Sequence, residues 1–230
     1  MSLEFAIRLT EIFMGFAFIQ QSLEHLTLFK HERRLFLLRI IFSLLLIVGF
    51  YTPWITLLLL LLSLFILQLF QGPYNGGADR MGLLILSCLT LVHFLPTLRW
   101  QEIAFGYLSL QLILSYFISG WVKVINPDWR SGRALRDVFQ FSAYPVSESL
   151  RLLSQSPRLL LSASWLVILF ELMFPFTLIS SFSLSIALIA AASFHLTNAF
   201  LFGLNRFFWI WLAAYPSLLW FQNRIFEIVN

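Results

Sequence analysis

Charge is what this sequence most lacks. Only 11% of its 230 residues are Asp, Glu, Lys or Arg, against about a quarter in a soluble domain. A water-facing globule is therefore not the reading. A single cysteine, Cys88, rules out a disulfide framework and a cysteine metal site. The glycine-rich phosphate loop, HExxH and GxSxG are all missing, so the common signatures of soluble nucleotide-binding and hydrolytic enzymes are silent. The opening MSLEFAIRLTEIF has no basic n-region and carries Glu4, Arg8 and Glu11. It is not expected to be a cleavable signal peptide, and the first helix is expected to stay in the mature chain.

What the chain does have is apolar length. Sixty per cent of it is hydrophobic and 17% aromatic. Eight hydrophobic segments follow one another, at about 4–22, 35–51, 53–71, 80–97, 101–123, 158–180, 183–202 and 205–221. Most are near the roughly 20 residues that cross about 30 Å of hydrocarbon. Long runs without alternation exclude barrel strands, and in lipid only helices then satisfy the backbone. The expectation is an all-α, polytopic membrane bundle of about eight spans, one domain over 1–230, whose first partner is the lipid bilayer.

Tight joints at Tyr51–Pro53 and Ser180–Ser183 predict helical hairpins. Residues at about 128–157 read as an interfacial amphipathic segment, with Leu135, Val138, Phe139 and Phe141 toward lipid, arginines toward headgroups and a break at Pro145. With eight spans, twelve of the 15 lysines and arginines fall on one side, leaving Arg8, Arg99 and Arg224 on the other. The positive-inside rule places the Lys123 side in the cytoplasm. The net charge of +4 is thus read as orientation, with no nucleic-acid partner.

Polar residues inside apolar runs each need a reason, because a charge at bilayer depth costs at least about 2.5–3.5 kcal/mol. Glu171 lies mid-run in LVILFELMFPF, with Pro175 one turn later to kink the helix. It is either a buried acid that holds a partner or proton, or a structural hydrogen bond. His195 and Asn198 are three apart in ASFHLTNAFLFG and so share a helix face. They are a candidate site or an interhelical contact; spacing does not support a metal. His93 is read as packing. GPYNGGADR, residues 72–80, is a turn, or else backbone that approaches a ligand closely with Asp79 as N-cap. Lys123, where a long apolar run stops, is a snorkelling anchor or, if desolvated in a pocket, a base. Topology sends Lys123, residues 75–80, His195 and Asn198, and Gln20, Gln21, Glu24 and His25 toward one face. A polar pocket walled by Phe and Leu is the economical reading.

The stretch YFISGWVKVINPDWRSG resembles the vitamin K-dependent gamma-carboxylase-like family, whose members carry Tyr-Phe-x-x-Gly-x-x-Lys and then Asp-Trp-x-x-Gly. Those residues are Tyr116, Phe117, Gly120, Lys123, Asp128, Trp129 and Gly132. The His-x-x-Asn segment is matched by His195 and Asn198. NGGADRMGLL, from Asn75, is similar to the Asn-Gly-Gly-Asp stretch of bacterial members, the horizontally transferred transmembrane domain proteins. The resemblance covers roughly residues 70–222. It implies an integral-membrane bundle, in a bacterial inner membrane, around a pocket for a quinol or other lipophilic cofactor. By the same resemblance Lys123 is the base and His195 a second catalytic residue. Asn198, Asn75, Tyr116 and Trp129 are then expected to line the cofactor, with Glu171, singled out by its depth in the apolar run, supporting the cofactor site from behind.

Two departures speak against glutamate carboxylation itself. Gly76-Gly77 stands where the carboxylase has Asn-His, and no large lumenal peptide-binding domain is present in these residues. The arginine count also puts Lys123 in the cytoplasm, whereas the eukaryotic site faces the lumen. Two readings stay open. One is a quinol-dependent membrane enzyme that modifies a peptide or lipid. The other is a non-catalytic subunit or assembly factor of a larger membrane complex, built on the same scaffold.

Overall fold

The computed structural model describes residues 1–28, 33–69, 76–141 and 148–229, and among them every regular element is helical. The helices are α1 (Leu3–Leu28), α2 (Arg33–Val48), α3 (Thr52–Leu69), α4 (Gly76–Phe94), α5 (Leu98–Ile125), α6 (Pro127–Arg130), α7 (Arg133–Phe141), α8 (Glu148–Arg151), α9 (Pro157–Met173), α10 (Ser181–Phe202) and α11 (Asn205–Val229). Each of the eight hydrophobic segments has become a helix. By length and composition, four reach the size and apolarity of a membrane span: Gly76–Phe94, Leu98–Ile125, Pro157–Ile179 and Ser181–Phe202. The helix α2, with 16 residues, is shorter than a span needs. Glu4, Arg8, Glu11 and Glu24 keep α1 polar.

Contacts group the chain into two compact units, Met1–Ser109 with Arg206–Asn230, and Leu110–Asn205. In the first, α1 packs along α2, and α3 pairs with both α2 and α4. The α2–α3 hairpin turns through Gly49 and Tyr51, both with positive φ. Arg8 of α1 secures that turn. Its guanidinium donates to the Leu46 carbonyl at 2.7 Å and to the Ile47 carbonyl, and pairs with Glu11 at 2.8 Å. Carbonyls in the last turn of a helix have no intrahelical donor, so the arginine supplies one.

In the second unit, α9 passes into a 3₁₀ stretch over Phe174–Ile179. Pro175 is the cause: it has no N–H to return to the Glu171 carbonyl four residues back, so the α ladder cannot continue. A Ser180–Ser183 capping box then starts α10 at the expected tight joint.

The segment after α5 differs from the sequence reading. It forms α6 and α7, and the apolar face of α7 turns inward. Phe139 is 4% exposed and packs with Leu160 and Phe202, joined by Leu135 and Val138. Of the residues expected to face lipid, only Phe141 is exposed. The amphipathic pattern was real, but the apolar face found protein. Pro145 lies outside the described residues.

The α6 segment is fixed to α9 by its backbone. Asn126 caps α6 through the Asp128 N–H, Ser164 Oγ donates to the Trp129 carbonyl, and Trp165 Nε1 donates to the Arg130 carbonyl at 3.1 Å. Gly132 makes the fit possible. Its φ is +75°, and a Cβ there would lie 2.9 Å from the Leu161 backbone. A side chain would add about 1–3 kcal/mol of backbone strain to a clash that flexible atoms cannot relieve. We therefore expect Gly132→Val to lower the melting temperature in detergent and loosen Trp129; an unchanged melting curve would contradict the close packing.

Candidate functional site

Three residues of α5 form one stripe: Tyr116, Gly120 and Lys123, at spacings of four and three. In the second unit this stripe faces α9. A Cβ on Gly120 would lie 2.8 Å from the Leu172 nitrogen and 3.0 Å from Glu171 Cβ. The glycine thus lets the two backbones approach, in the manner of small residues in membrane helix contacts. One turn further on, Lys123 Nζ reaches Glu171, at 2.6 Å from Oε2 and 2.9 Å from Oε1. Glu171 is 4% exposed. The Lys123 ammonium also lies 5.2 Å from the centre of the Trp129 ring, which α6 holds in place.

At the other end of the stripe, Tyr116 is buried and its hydroxyl lies 3.0 Å from His195 Nε2 on α10. Its ring stacks on Phe174 with centroids 4.1 Å apart and meets Phe170 edge-on at 6.1 Å. Phe170, Glu171 and Phe174 are neighbours on one side of α9. The lysine–glutamate pair and the tyrosine–histidine bond therefore share a wall of aromatic rings. Glu171 has the partner its position demanded, and that partner is Lys123.

The remaining candidates divide. Asn198 is half-buried on α10, and its backbone carbonyl accepts the Leu204 N–H at 3.4 Å in the helix cap. No side-chain hydrogen bond of Asn198 is present among the described residues. Asn75 lies outside the described residues. In the first unit Gly77 has its own reason to be glycine. A Cβ there would come within 2.8 Å of the Phe207 ring, so Phe207 fills the space a larger residue would need. His93 is more than packing: its Nε2 lies 2.6 Å from Glu11 Oε1. The sequence reading also passed over Phe170 and Phe174, which look like ordinary core residues. Gly120 had a signal, its fixed distance from Lys123 in the motif, but that signal did not say what it packs against.

The arrangement can do two things. It can clamp α5 to α9, and it can hold a proton. The pair sets the half-buried Lys123 ammonium, a donor, 2.6 Å from the buried Glu171 carboxylate, an acceptor. Tyr116 and His195 supply a second hydrogen-bonding point among aromatic rings. Among the described residues no three His, Cys, Asp or Glu side chains gather closely enough for a metal ion.

Removing one member of such a pair leaves the other buried without its partner, at a cost of about 3 kcal/mol. Glu171→Ala should therefore lower thermal stability more than the double variant Lys123→Met/Glu171→Leu, which restores apolar packing. Melting of the three proteins in one detergent checks this, and equal losses would deny the pair a structural share.

No curated protein and no solved structure matches the chain. The HTTM domain profile does match, over residues 96–223. That stretch runs through α5 to α10 and into α11, and it is more than half of the chain. It contains every element that builds the Lys123, Glu171, Tyr116 and His195 site. This chain is a member of the HTTM-domain family, whose domain is that of the vitamin K-dependent gamma-carboxylase-like membrane proteins.

Proposed function

We propose that this membrane protein is a quinol-dependent enzyme whose proton-accepting centre is the Lys123–Glu171 pair. The observation that carries this reading is the 2.6 Å contact between Lys123 Nζ and Glu171 Oε2, next to the buried Tyr116–His195 bond. A hydroxyl brought to the pair meets both a proton acceptor and an ammonium that stabilises the developing oxyanion. Tyr116, with His195 behind it, orients the far edge of the ring by hydrogen bonding. Trp129, Phe170 and Phe174 provide stacking surfaces and keep water away from the pair. A bound quinol supplies reducing equivalents and an acidic hydroxyl.

The arginine distribution favours a cytoplasmic position for the Lys123 end, in a bacterial inner membrane. The substrate class on this reading is a peptide or a lipid. Glutamate carboxylation is not proposed, since Gly76-Gly77 stands in place of the carboxylase Asn-His and Phe207 occupies the space beside Gly77.

The test is oxygen-dependent consumption of a reduced naphthoquinone by the purified protein in detergent. Lys123→Ala should lower the rate by about 10²–10⁴-fold, the usual share of a general base. Tyr116→Phe should chiefly raise the quinol concentration needed. Wild-type turnover that survives Lys123→Ala would rule out this centre. A protein without turnover, isolated only with stoichiometric partner subunits, would identify it as a structural subunit instead.

A further inference from the structure

The first unit contains a cavity that the lysine site does not use, where α1, α2, α3, α4 and α11 converge. It measures about 50 Å³, several times the roughly 10–15 Å³ that one water requires on this measure. Phe18, Phe36, Ile66 and Ile210 make much of its wall apolar. Arg39, Arg206 and Asp79 are the charged groups that line it.

Arg39 is 3% exposed. Its Nε donates to Ser22 Oγ at 2.8 Å, and its guanidinium carbon lies 4.8 Å from the Phe18 ring centre and 5.2 Å from that of Phe36. Two aromatic faces thus hold the fork in one orientation. Among the described residues Nη2 remains buried without a hydrogen-bond partner, as does the Ser63 hydroxyl on α3. Both residues line the same cavity. A buried donor left unmade is the expensive outcome, and native proteins rarely tolerate one without a use for it. Two on one wall point to an acceptor brought from outside.

The charge balance has the matching sign. Arg206 Nη2 lies 3.0 Å from His25 Nε2, and its Nε is 3.8 Å from Glu24, which is not on the wall. Burial, then Arg206 and Arg39, pushes the His25 pKa down to about 4, so the ring is neutral at neutral pH. Among the described residues Asp79 is the one carboxylate on the wall, and Gln21 Nε2 donates to it at 3.3 Å. Two guanidiniums against one carboxylate leave the wall net positive. Its unmet donors come from α2 and α3, and a second guanidinium from α11. Donors that converge from different helices suit a tetrahedral oxyanion better than a planar carboxylate.

We propose that this cavity binds a phosphate group through Arg39, Arg206 and Ser63, supplied by an anionic lipid headgroup or by free phosphate. The apolar wall would then lie against the first carbons of a lipid. This site belongs to the first unit and does not depend on the quinol reading, so its test uses no activity.

The experiment follows the melting temperature of the full chain in neutral detergent. Inorganic phosphate, dihexanoyl phosphatidylglycerol and neutral dihexanoylglycerol are titrated separately. A saturable upward shift with the phosphatidylglycerol alone assigns a lipid headgroup; a shift with inorganic phosphate as well assigns the phosphate group itself. Arg39→Gln should weaken the response about tenfold or more, as expected for loss of a charge-assisted donor. Ser63→Leu, which fills the cavity and leaves Arg39 in place, should do the same and decides the matter if Arg39→Gln does not fold. Overturning results are no shift with either phosphate, an equal shift with the neutral lipid, or unchanged affinity in the variants.

Discussion

A lysine and a glutamate facing each other among leucines and phenylalanines determine how the second unit is built. Neither charge can sit there alone, because the cost of removing an ion from water is returned only by a close, well-oriented partner. Closeness in turn demands that α5 and α9 approach backbone to backbone, and Gly120 is the residue that permits it. The segment after Lys123 then has to fold back. Asn126 caps the short α6, Ser164 and Trp165 bond its carbonyls, and Gly132 takes the positive φ that completes the return against Leu161. Trp129 is delivered to the lysine as a consequence. The motif residues are thus one mechanical device rather than a row of separate functional groups.

The same device suits proton chemistry. An isolated lysine at the end of an apolar helix would turn its ammonium to water. Lys123 instead meets a carboxylate within 2.6 Å, in a place whose other polar groups, Tyr116 and His195, also face protein. Pro175 adds to this setting, because its missing N–H leaves the Glu171 carbonyl outside the α ladder. The HTTM-domain match spans all of these elements, whereas α1, α2, α3 and α4 lie before it. Four of the five helices around the Arg39 cavity are these preceding ones; the fifth, α11, brings Arg206 and Ile210 from within the matched stretch.

Much of this was legible in the sequence. Apolar length located all eight long helices, since runs without alternation exclude barrel strands and leave helices to satisfy the backbone in lipid, and the lysine motif named Lys123, Tyr116 and Trp129. The number of spans was less legible: α1 is interrupted by charges, α2 and the apolar stretch of α3 are short, and α11 carries polar residues at both ends, so among the described residues four helices have the length and apolarity of a span. Glu171 was visible as costly, but which cation it meets depends on how α9 lies against α5. The α7 helix showed the limit from the other side. Its amphipathic period is the same whether the apolar face meets lipid or Leu160 and Phe202, and here it meets protein. His93 and Arg39 looked like packing and an orienting charge because their partners, Glu11 and Ser22, lie 82 and 17 residues away in sequence.

The most direct measurement is quinol turnover by the charge-swapped protein Lys123→Glu/Glu171→Lys, beside the wild type and at matched thermal stability. The swap keeps an ion pair between α5 and α9 but moves the amine to the other helix, away from Trp129. If the pair is a proton centre built around the lysine position, the swapped protein should melt near the wild type and turn over at least about a hundredfold more slowly. Equal turnover in the two proteins, or none in the wild type, would contradict it and leave the pair as a clamp between two helices.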